Sequence, residues 1–298
     1  MLTMSHGKHD RALESRSRQD RGVPRSETDR AVDLSVIVVS HGHGAVLGDC
    51  LRSLPDALAG LCAEVIVVDN LGTDAVAAAA VNGNDRTYLY RSPRPQGLSR
   101  NINQAARKAS GRYLLLLNPD TVFQSGSLSD AIRFMEGEPR AGVVGCRLLS
   151  EDGTLQHSYR RFPTAAVVLA RGLGADRWKQ RPRFYRYRLM EGERFEDTTE
   201  VDWVFGAFLL LRFDRFVALG GMDERFRLYY EDVDLCYRFR RHGWRTFYFP
   251  AVTVVHQHAR SSAAKPLGQA WRWHLRSACR FFWKHRYIFH PAPGGPET

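Results

Sequence analysis

Leu34 to Val39 and Glu64 to Asp69 are unbroken apolar, β-branched runs, the pattern of strands buried on both faces of a parallel sheet. Between them Val46, Leu47, Cys50, Leu51, Leu54 and Leu58 recur at helical spacing within Gly44 to Leu61, so the segment predicts a βαβ unit. Thr87 to Arg91 predicts a third strand, Gly97 to Ser110 a polar helix, and Arg112 to Asn118 a fourth strand that stops at Pro119-Asp120. A helix over Ser127 to Glu138 and a strand over Val143 to Leu149 follow. This alternation predicts an α/β domain with a mostly parallel central sheet, whose ligands bind beyond the carboxyl ends of the strands. Asp69 and Asp120 both stand at such ends.

The pattern then changes. Residues 157–200 hold ten Lys/Arg, several aromatics and no clean period, which predicts a flexible basic insertion near the acceptor side of the domain. Regularity returns at Val201 to Arg212, continues through a helix that ends at Gly243, and closes with a strand from Thr246 to His256. From Leu267 to Ile288, Arg272, Arg276, Arg280 and Lys284 repeat every four residues beside Trp271, Leu275, Ala278, Phe281 and Phe282. Like charges at that spacing repel along a helix, so such a stripe is better satisfied against an anionic surface than in water. The expected organisation is a disordered polar tail over 1–32, a catalytic domain over 33–262, and an amphipathic basic helix with a tail over 263–298.

Composition adds three constraints. At 298 residues with 44% apolar content, the chain can bury a large core, and no apolar run approaches the roughly 20 residues of a membrane span. Met1 to Asp33 lacks the apolar centre of a secretory signal, and the five scattered cysteines show no paired or metal-ligand spacing, as suits a reducing cytosol. The net charge of +11 is uneven: residues 158–194 carry ten Lys/Arg against three Asp/Glu, and 256–298 seven against one. A near-neutral body with two basic flanks predicts an anionic partner, whether phosphates, a lipid surface or nucleic acid.

The candidate chemistry lies at the element ends. Glu231, Asp232 and Asp234 put three carboxylates in four positions at the start of a helix, where capping requires one or two at most. One of them is a candidate general base. Asp69 and Asn70 end a buried strand, where an acid can accept hydrogen bonds from a nucleotide base or ribose; a plain turn is the alternative. Arg94, Gly97, Arg100, Asn101 and Asn103 place donors around a helix N-terminus that already favours an anion. In Asn118-Pro119-Asp120 the proline forces an extended turn that projects Asp120 from the sheet. One or two carboxylates suffice for a divalent cation, Mg or Mn, that also takes water and two phosphates. His256 and, less directly, His258 are candidates for a second contact. Trp203 and Gly206 are candidates for the floor of a sugar site, although an apolar core role explains them equally.

In consistent order, LSVIVVSHG, EVIVVDN, QGLSRNIN, LLLLNPDT, VFGAFLLLR, GGMDERFRLYYEDVDLCYRFRRHGW and VVHQHARSS resemble the inverting family 2 glycosyltransferases of the GT-A (Rossmann-like nucleotide-binding) fold, in particular a bacterial rhamnosyltransferase-like branch. The resemblance runs from about Leu34 to Ser262. It implies Asp69 as the base-recognition acid, Asp120 as principal metal ligand, Asp232 as catalytic base and Glu231 as an acceptor-positioning group. It further implies a dTDP- or UDP-sugar donor, a glycan or polyprenyl-pyrophosphate-linked acceptor, and work in the cytoplasm at the inner face of the plasma membrane, with nucleic acid disfavoured. Asn118 stands where the family often has a first carboxylate, and Pro95 where it often has asparagine. The alternatives are a nucleotidyltransferase, which would usually carry a basic glycine-rich loop where Ser40-His41-Gly42-His43-Gly44 stands, and a basic binding module, which leaves the paired acids unexplained.

Overall fold

The computed structural model describes residues 31–81, 86–175, 178–257 and 269–286. The first half alternates as the apolar pattern dictates: β1 (Leu34–Ser40), α1 (Ala45–Ala57), β2 (Ala63–Asp69), α2 (Ala75–Val81), β3 (Thr87–Arg91), α3 (Leu98–Ala106) and β4 (Tyr113–Leu117). These strands pair in parallel in the order β3-β2-β1-β4. Ser40 lies level with Asp69, and Val38 with Leu117. Three carboxyl ends therefore finish together at one edge, which makes that edge the ligand side.

The second half closes the sheet from the other direction. It comprises β5 (Thr121–Ser125), α4 (Leu128–Gly137), β6 (Ala141–Leu149), β7 (Leu155–Gln156), β8 (Tyr159–Arg160), α5 (Ala165–Gly172), α6 (Arg183–Leu189), β9 (Thr199–Val201), β10 (Trp203–Val204), β11 (Phe208–Arg212), α7 (Phe213–Ala218), α8 (Glu231–Arg241), β12 (Arg245–His256) and α9 (Gln269–His285). β11 enters antiparallel between β4 and β6, so its first residue, Phe208, meets the last residue of β4, Leu117. β12 runs parallel to β6 and antiparallel to β5, with His256 opposite Thr121. All these elements belong to one compact unit that begins at Val32.

Strand alternation divides the core between the two faces of the sheet. Ile37, Val39, Leu114 and Leu116 pack toward α3, α8 and α9, while Val36, Val38, Leu115 and Leu117 pack toward α1 and α4. The stretch 157–200, expected to be irregular, contains α5 and α6, joined through Val167, Ala170, Ala175 and Tyr185. Helices of eight and seven residues are too short for a period to show through so many arginines. The expected tail over 1–32 falls, but for its last two residues, outside the described residues.

The C-terminal helix docks on the body through an ionic lock. Asp234 on α8 is fully buried and receives Arg238 at 2.8 Å, Lys284 at 2.5 Å and His285 at 2.7 Å. Lys284 also reaches Asp223 at 2.7 Å. The fourth member of the expected basic stripe thus turns inward, where a buried and a half-buried carboxylate hold it. Burial opposes ionisation of Asp234, but His285, Arg238 and Lys284 outweigh it and hold its carboxyl below the usual range.

Asp234→Asn leaves the Arg238 and Lys284 cations facing a neutral amide, and is expected to lower unfolding free energy by about 3 kcal/mol at pH 7 in urea titrations. Because the folded pKa is depressed, this contribution is present above the unfolded pKa and is lost as pH falls. The gap between variant and wild type should therefore close under acid conditions.

Candidate active site

Turn chemistry at the strand ends builds the floor of the site. The Asp69 carboxylate is buried and accepts the N–H groups of Leu71, Gly72 and Asp74 at 3.2, 2.8 and 2.9 Å. Asn70 accepts the Gln96 N–H at 2.8 Å and donates to the Gln96 carbonyl at 3.0 Å. Asp69 and Asn70 were expected to meet the nucleotide; both side chains shape the turn after β2 and clasp it to the loop before α3.

Internal contacts also engage the expected donors along α3. Asn103 accepts the Met222 N–H at 2.8 Å and donates to the Met222 carbonyl and to Glu224, so its amide clamps the loop before α8. Gly221 in that loop has φ +71, and a Cβ there would lie 2.6 Å from Asn103 Oδ1, which requires glycine. Arg100 pairs with Glu224 at 3.7 Å, and Gly97 lies against the backbone of Arg227. Arg94 is exposed. Asn101 is fully buried with neither amide atom hydrogen bonded.

The turn after β4 is stitched to two neighbours. Asn118 donates its N–H to the Ala207 carbonyl at 3.0 Å, and the Asp120 carbonyl accepts from Gln257 N–H at 2.9 Å. Behind it, burial pushes the Cys50 thiol up to about 12, leaving it a packing group. Asp120 Oδ1 is shielded from solvent without a hydrogen-bond donor, and His256 Nε2 stands 3.4 Å away. Gln156 fixes that ring. Its Nε2 donates to the His256 carbonyl at 3.0 Å, to Ser150 Oγ at 3.2 Å and to the Leu149 carbonyl at 3.3 Å. Its Oε1 is thereby turned to His256 Nδ1 at 3.2 Å. Nδ1 must donate in that pair, so the neutral ring presents a lone pair at Nε2.

An unpartnered carboxylate oxygen facing an imidazole lone pair fits a divalent cation that completes its shell with water and phosphate oxygens. No cluster of three or more His, Cys, Asp or Glu suited to a metal occurs among the described residues, so the protein would supply two ligands. His258 lies outside the described residues. Burial works against ionisation of Asp120, but a hydrogen bond and positive charge from His256, which only its protonated form supplies, and the charge of His43 hold its carboxyl below the usual range; a bound cation would take the place of that Nε2 proton.

The opposite wall is the start of α8. Tyr229 and Tyr230 both take left-handed backbone conformations, φ 65 and 67, which cost about 1–3 kcal/mol each in residues with a side chain. The His274 and Phe281 rings of α9 lie 5.2 and 5.7 Å from Tyr230 and hold this bend. It delivers two adjacent carboxylates inward. Asp232 Oδ2 accepts the Gly206 N–H at 3.0 Å and Oδ1 the Val233 N–H at 2.8 Å. Glu231 Oε2 is shielded with no partner. A Cβ on Gly206 would sit at ordinary contact distance from Asp232, 3.5 Å, so it is the backbone N–H of this residue that matters. Trp203 stacks on Phe205 at 5.5 Å and donates to the Arg161 carbonyl, bordering the same turn.

Burial, then the charge of Asp232, pushes the Glu231 carboxyl up to about 8. Burial also raises Asp232, but the Val233 and Gly206 N–H groups counter it. The two N–H groups on Asp232 favour the charge there, and the lack of any donor to Glu231 Oε2 favours the proton on Glu231. An ionised aspartate beside a protonated glutamate can take a proton from a hydroxyl while the glutamate donates a hydrogen bond.

Comparison with known proteins decides the family. The model described as "Glycosyltransferase like family 2" matches residues 31–277. The chain belongs to the family 2 glycosyltransferases. This assignment sets aside the nucleotidyltransferase and binding-module alternatives. Among its relatives, the Escherichia coli K12 rhamnosyltransferase WbbL is 29% identical over 85% of this chain and 94% of its own length. The Mycobacterium tuberculosis N-acetylglucosaminyl-diphospho-decaprenol L-rhamnosyltransferase is 30% identical over 78% of each chain. The fold is shared with the Pyrobaculum calidifontis mannosyltransferase PcManGT in complex with GDP-Man and Mn2+, at TM-score 0.55, 18% identity and coverage of 89% of this chain and 74% of that one. It is shared too with GalNAc-T7 with UDP, GalNAc and Mn2+, at TM-score 0.60 and 16% identity, where 88% of this chain spans half of the other.

Within this glycosyltransferase the structure brings together Asp120, His256, Asn118, Gly206, Asp232, Glu231 and Trp203. Sequence reasoning missed Gln156, which lies 100 residues before His256, and the bent tyrosine pair, which no composition signal marks.

The raised pKa of Glu231 yields a stability test. A carboxyl whose folded pKa exceeds its unfolded value stabilises fully below the unfolded pKa, and that stability is lost as pH rises toward the folded value. Glu231→Gln should therefore raise Tm by about 2–6 °C at pH 8 and by little at pH 4.5, measured by calorimetry.

Proposed function

We infer that this glycosyltransferase inverts the anomeric centre of a nucleotide sugar, moving the sugar to a hydroxyl of a lipid-linked glycan acceptor in cell-envelope polysaccharide synthesis. The observation that carries the reading is the hydrogen bond from Gly206 N–H to Asp232. Residue 207 next to it is bonded to the turn that bears Asp120, so the base and the diphosphate-side carboxylate are fixed to one backbone segment. An inverting transfer needs a base on the acceptor side and charge neutralisation on the leaving-group side.

Asp232 accepts the acceptor proton, and protonated Glu231 donates a hydrogen bond that holds the acceptor. Asp120 and His256 hold a divalent cation, Mg or Mn, which when bound neutralises the departing nucleoside diphosphate. The Mn2+ named with both structural neighbours supports this. Trp203 and Phe205 form an apolar border for the sugar ring. The names of both relatives support rhamnose, with dTDP-rhamnose as donor, and that of the mycobacterial enzyme supports a polyprenyl-diphosphate sugar as acceptor. The enzyme then acts peripherally at the cytoplasmic face of the plasma membrane; no helix among the described residues is long and apolar enough to cross a membrane.

Incubation with dTDP-, UDP- and GDP-sugars, with and without a polyprenyl-diphosphate sugar, tests the reading through acceptor-dependent release of nucleoside diphosphate. Release should be greatest with dTDP-rhamnose. Asp232→Asn should reduce turnover by at least about 10²-fold with donor affinity nearly unchanged; retention of a tenth of wild-type turnover refutes the assignment. Gln156→Leu should weaken Mn2+ activation by about 10–100-fold while leaving Tm close to wild type. Equal metal dependence in the two proteins would remove the tautomer argument.

A further inference from the structure

The three most exposed large apolar side chains among the described residues, Trp283, Leu169 and Leu173, lie on two elements that the transfer chemistry does not use. On α5 and its continuation, Leu169 and Leu173 are each 67% exposed and stand four residues apart, which makes them one ridge. On α9, Trp283 is 88% exposed and Leu275 40%. Aliphatic ridges of this kind are costly in water, and a tryptophan beside them prefers a boundary between water and hydrocarbon.

Both elements pack on the same core cluster. Val168, on the inner side of α5, packs into the same core cluster as Ala278 and Phe281 of α9. Tyr230 feels the charge of Arg171 on α5 and packs against His274 and Phe281 of α9. Tyr230 immediately precedes Glu231, so both elements reach the start of α8 that carries the carboxylate pair.

Charge identifies the occupant. Gln269–His285 contains no acidic residue, and Arg272, Arg276, Arg280 and Arg286 are exposed around Leu275 and Trp283. Arg171, Lys179, Arg183 and Arg186 are exposed around the α5 and α6 side. A purely apolar partner would leave these cations desolvated, and a nucleic acid would leave the leucine ridge uncovered. An anionic bilayer satisfies both sets at once, since cations meet headgroups while Leu and Trp enter the interface.

We propose that α5 and α9 together form a docking platform for an anionic phospholipid surface, in which Leu169, Leu173 and Trp283 insert and the arginines of α9 supply the charge attraction. The proposal deepens the functional reading by naming how a lipid-linked acceptor is met, and it places the reacting carboxylates beside the bilayer surface. It revises the simple basic stripe, because Lys284 is locked inside and the anchor gains a second element.

Cosedimentation of the full chain with phosphatidylcholine vesicles, with and without phosphatidylglycerol, tests it. Wild type should bind the anionic vesicles and bind neutral ones far less. Replacing Arg272, Arg276 and Arg280 with Gln should lower partition on the order of a hundredfold. Leu169→Ser with Leu173→Ser should keep binding at low salt but lose the fraction that survives about 0.5 M salt, where charge attraction is screened within a few ångström. Asp232→Asn should bind vesicles as wild type does, so that docking and transfer are read separately. Equal binding of wild type to both vesicle types overturns the proposal, as does unchanged binding by both surface variants. A lipid-free dimer that Trp283→Ser dissociates, with vesicles ignored, would assign the ridges to a second copy of the chain instead.

Discussion

Everything in this site depends on confining two adjacent carboxylates at the start of one short helix. Each alone would be solvated or would cap the helix; together and buried they cannot both be charged at neutral pH. Asp232 takes the charge because two backbone N–H groups bind it, and Glu231 keeps the proton because no donor reaches its shielded oxygen. That asymmetry turns two like residues into a base and a hydrogen-bond donor. It also makes the start of α8 intrinsically unfavourable, so other parts of the fold must hold it.

Three features do so. The left-handed tyrosine pair aims the helix inward, the rings of α9 back that bend, and Asp234, one turn further on, anchors α9 through Lys284 and His285. On the facing side, the antiparallel insertion of β11 brings Gly206 beside Asp232 and Ala207 beside Asn118. Sheet register thus fixes the relation between acceptor-side and donor-side carboxylates. A one-residue slip of β11 would turn its side chains to the opposite face and break both contacts.

The strand runs from Leu34, Glu64 and Arg112 were legible because buried parallel strands leave continuous apolar stretches, and the acidic triplet stood out because capping does not need three acids. What stayed hidden depends on contacts distant in sequence. A strand-end acid such as Asp69 reads the same in sequence whether it faces a ligand or the turn after it, and the three N–H groups it accepts come from residues whose approach the sequence does not show. The clamp of Asn103 on Met222, 119 residues away, carried no sequence signal. Lys284 fitted a surface stripe by period, yet the period cannot reveal that Asp223 and Asp234 draw it inside. Gln156 carried no motif, and its importance comes from three acceptors that orient one amide.

The split ionisation of the pair is directly observable. In difference infrared spectroscopy of the free enzyme, a protonated-carboxyl C=O band should be present at pH 7, disappear as pH rises through about 8, and be absent at pH 7 in Glu231→Gln. A band at pH 7 that persists in Glu231→Gln and vanishes in Asp232→Asn would reverse the two roles, and no such band in wild type would contradict the account.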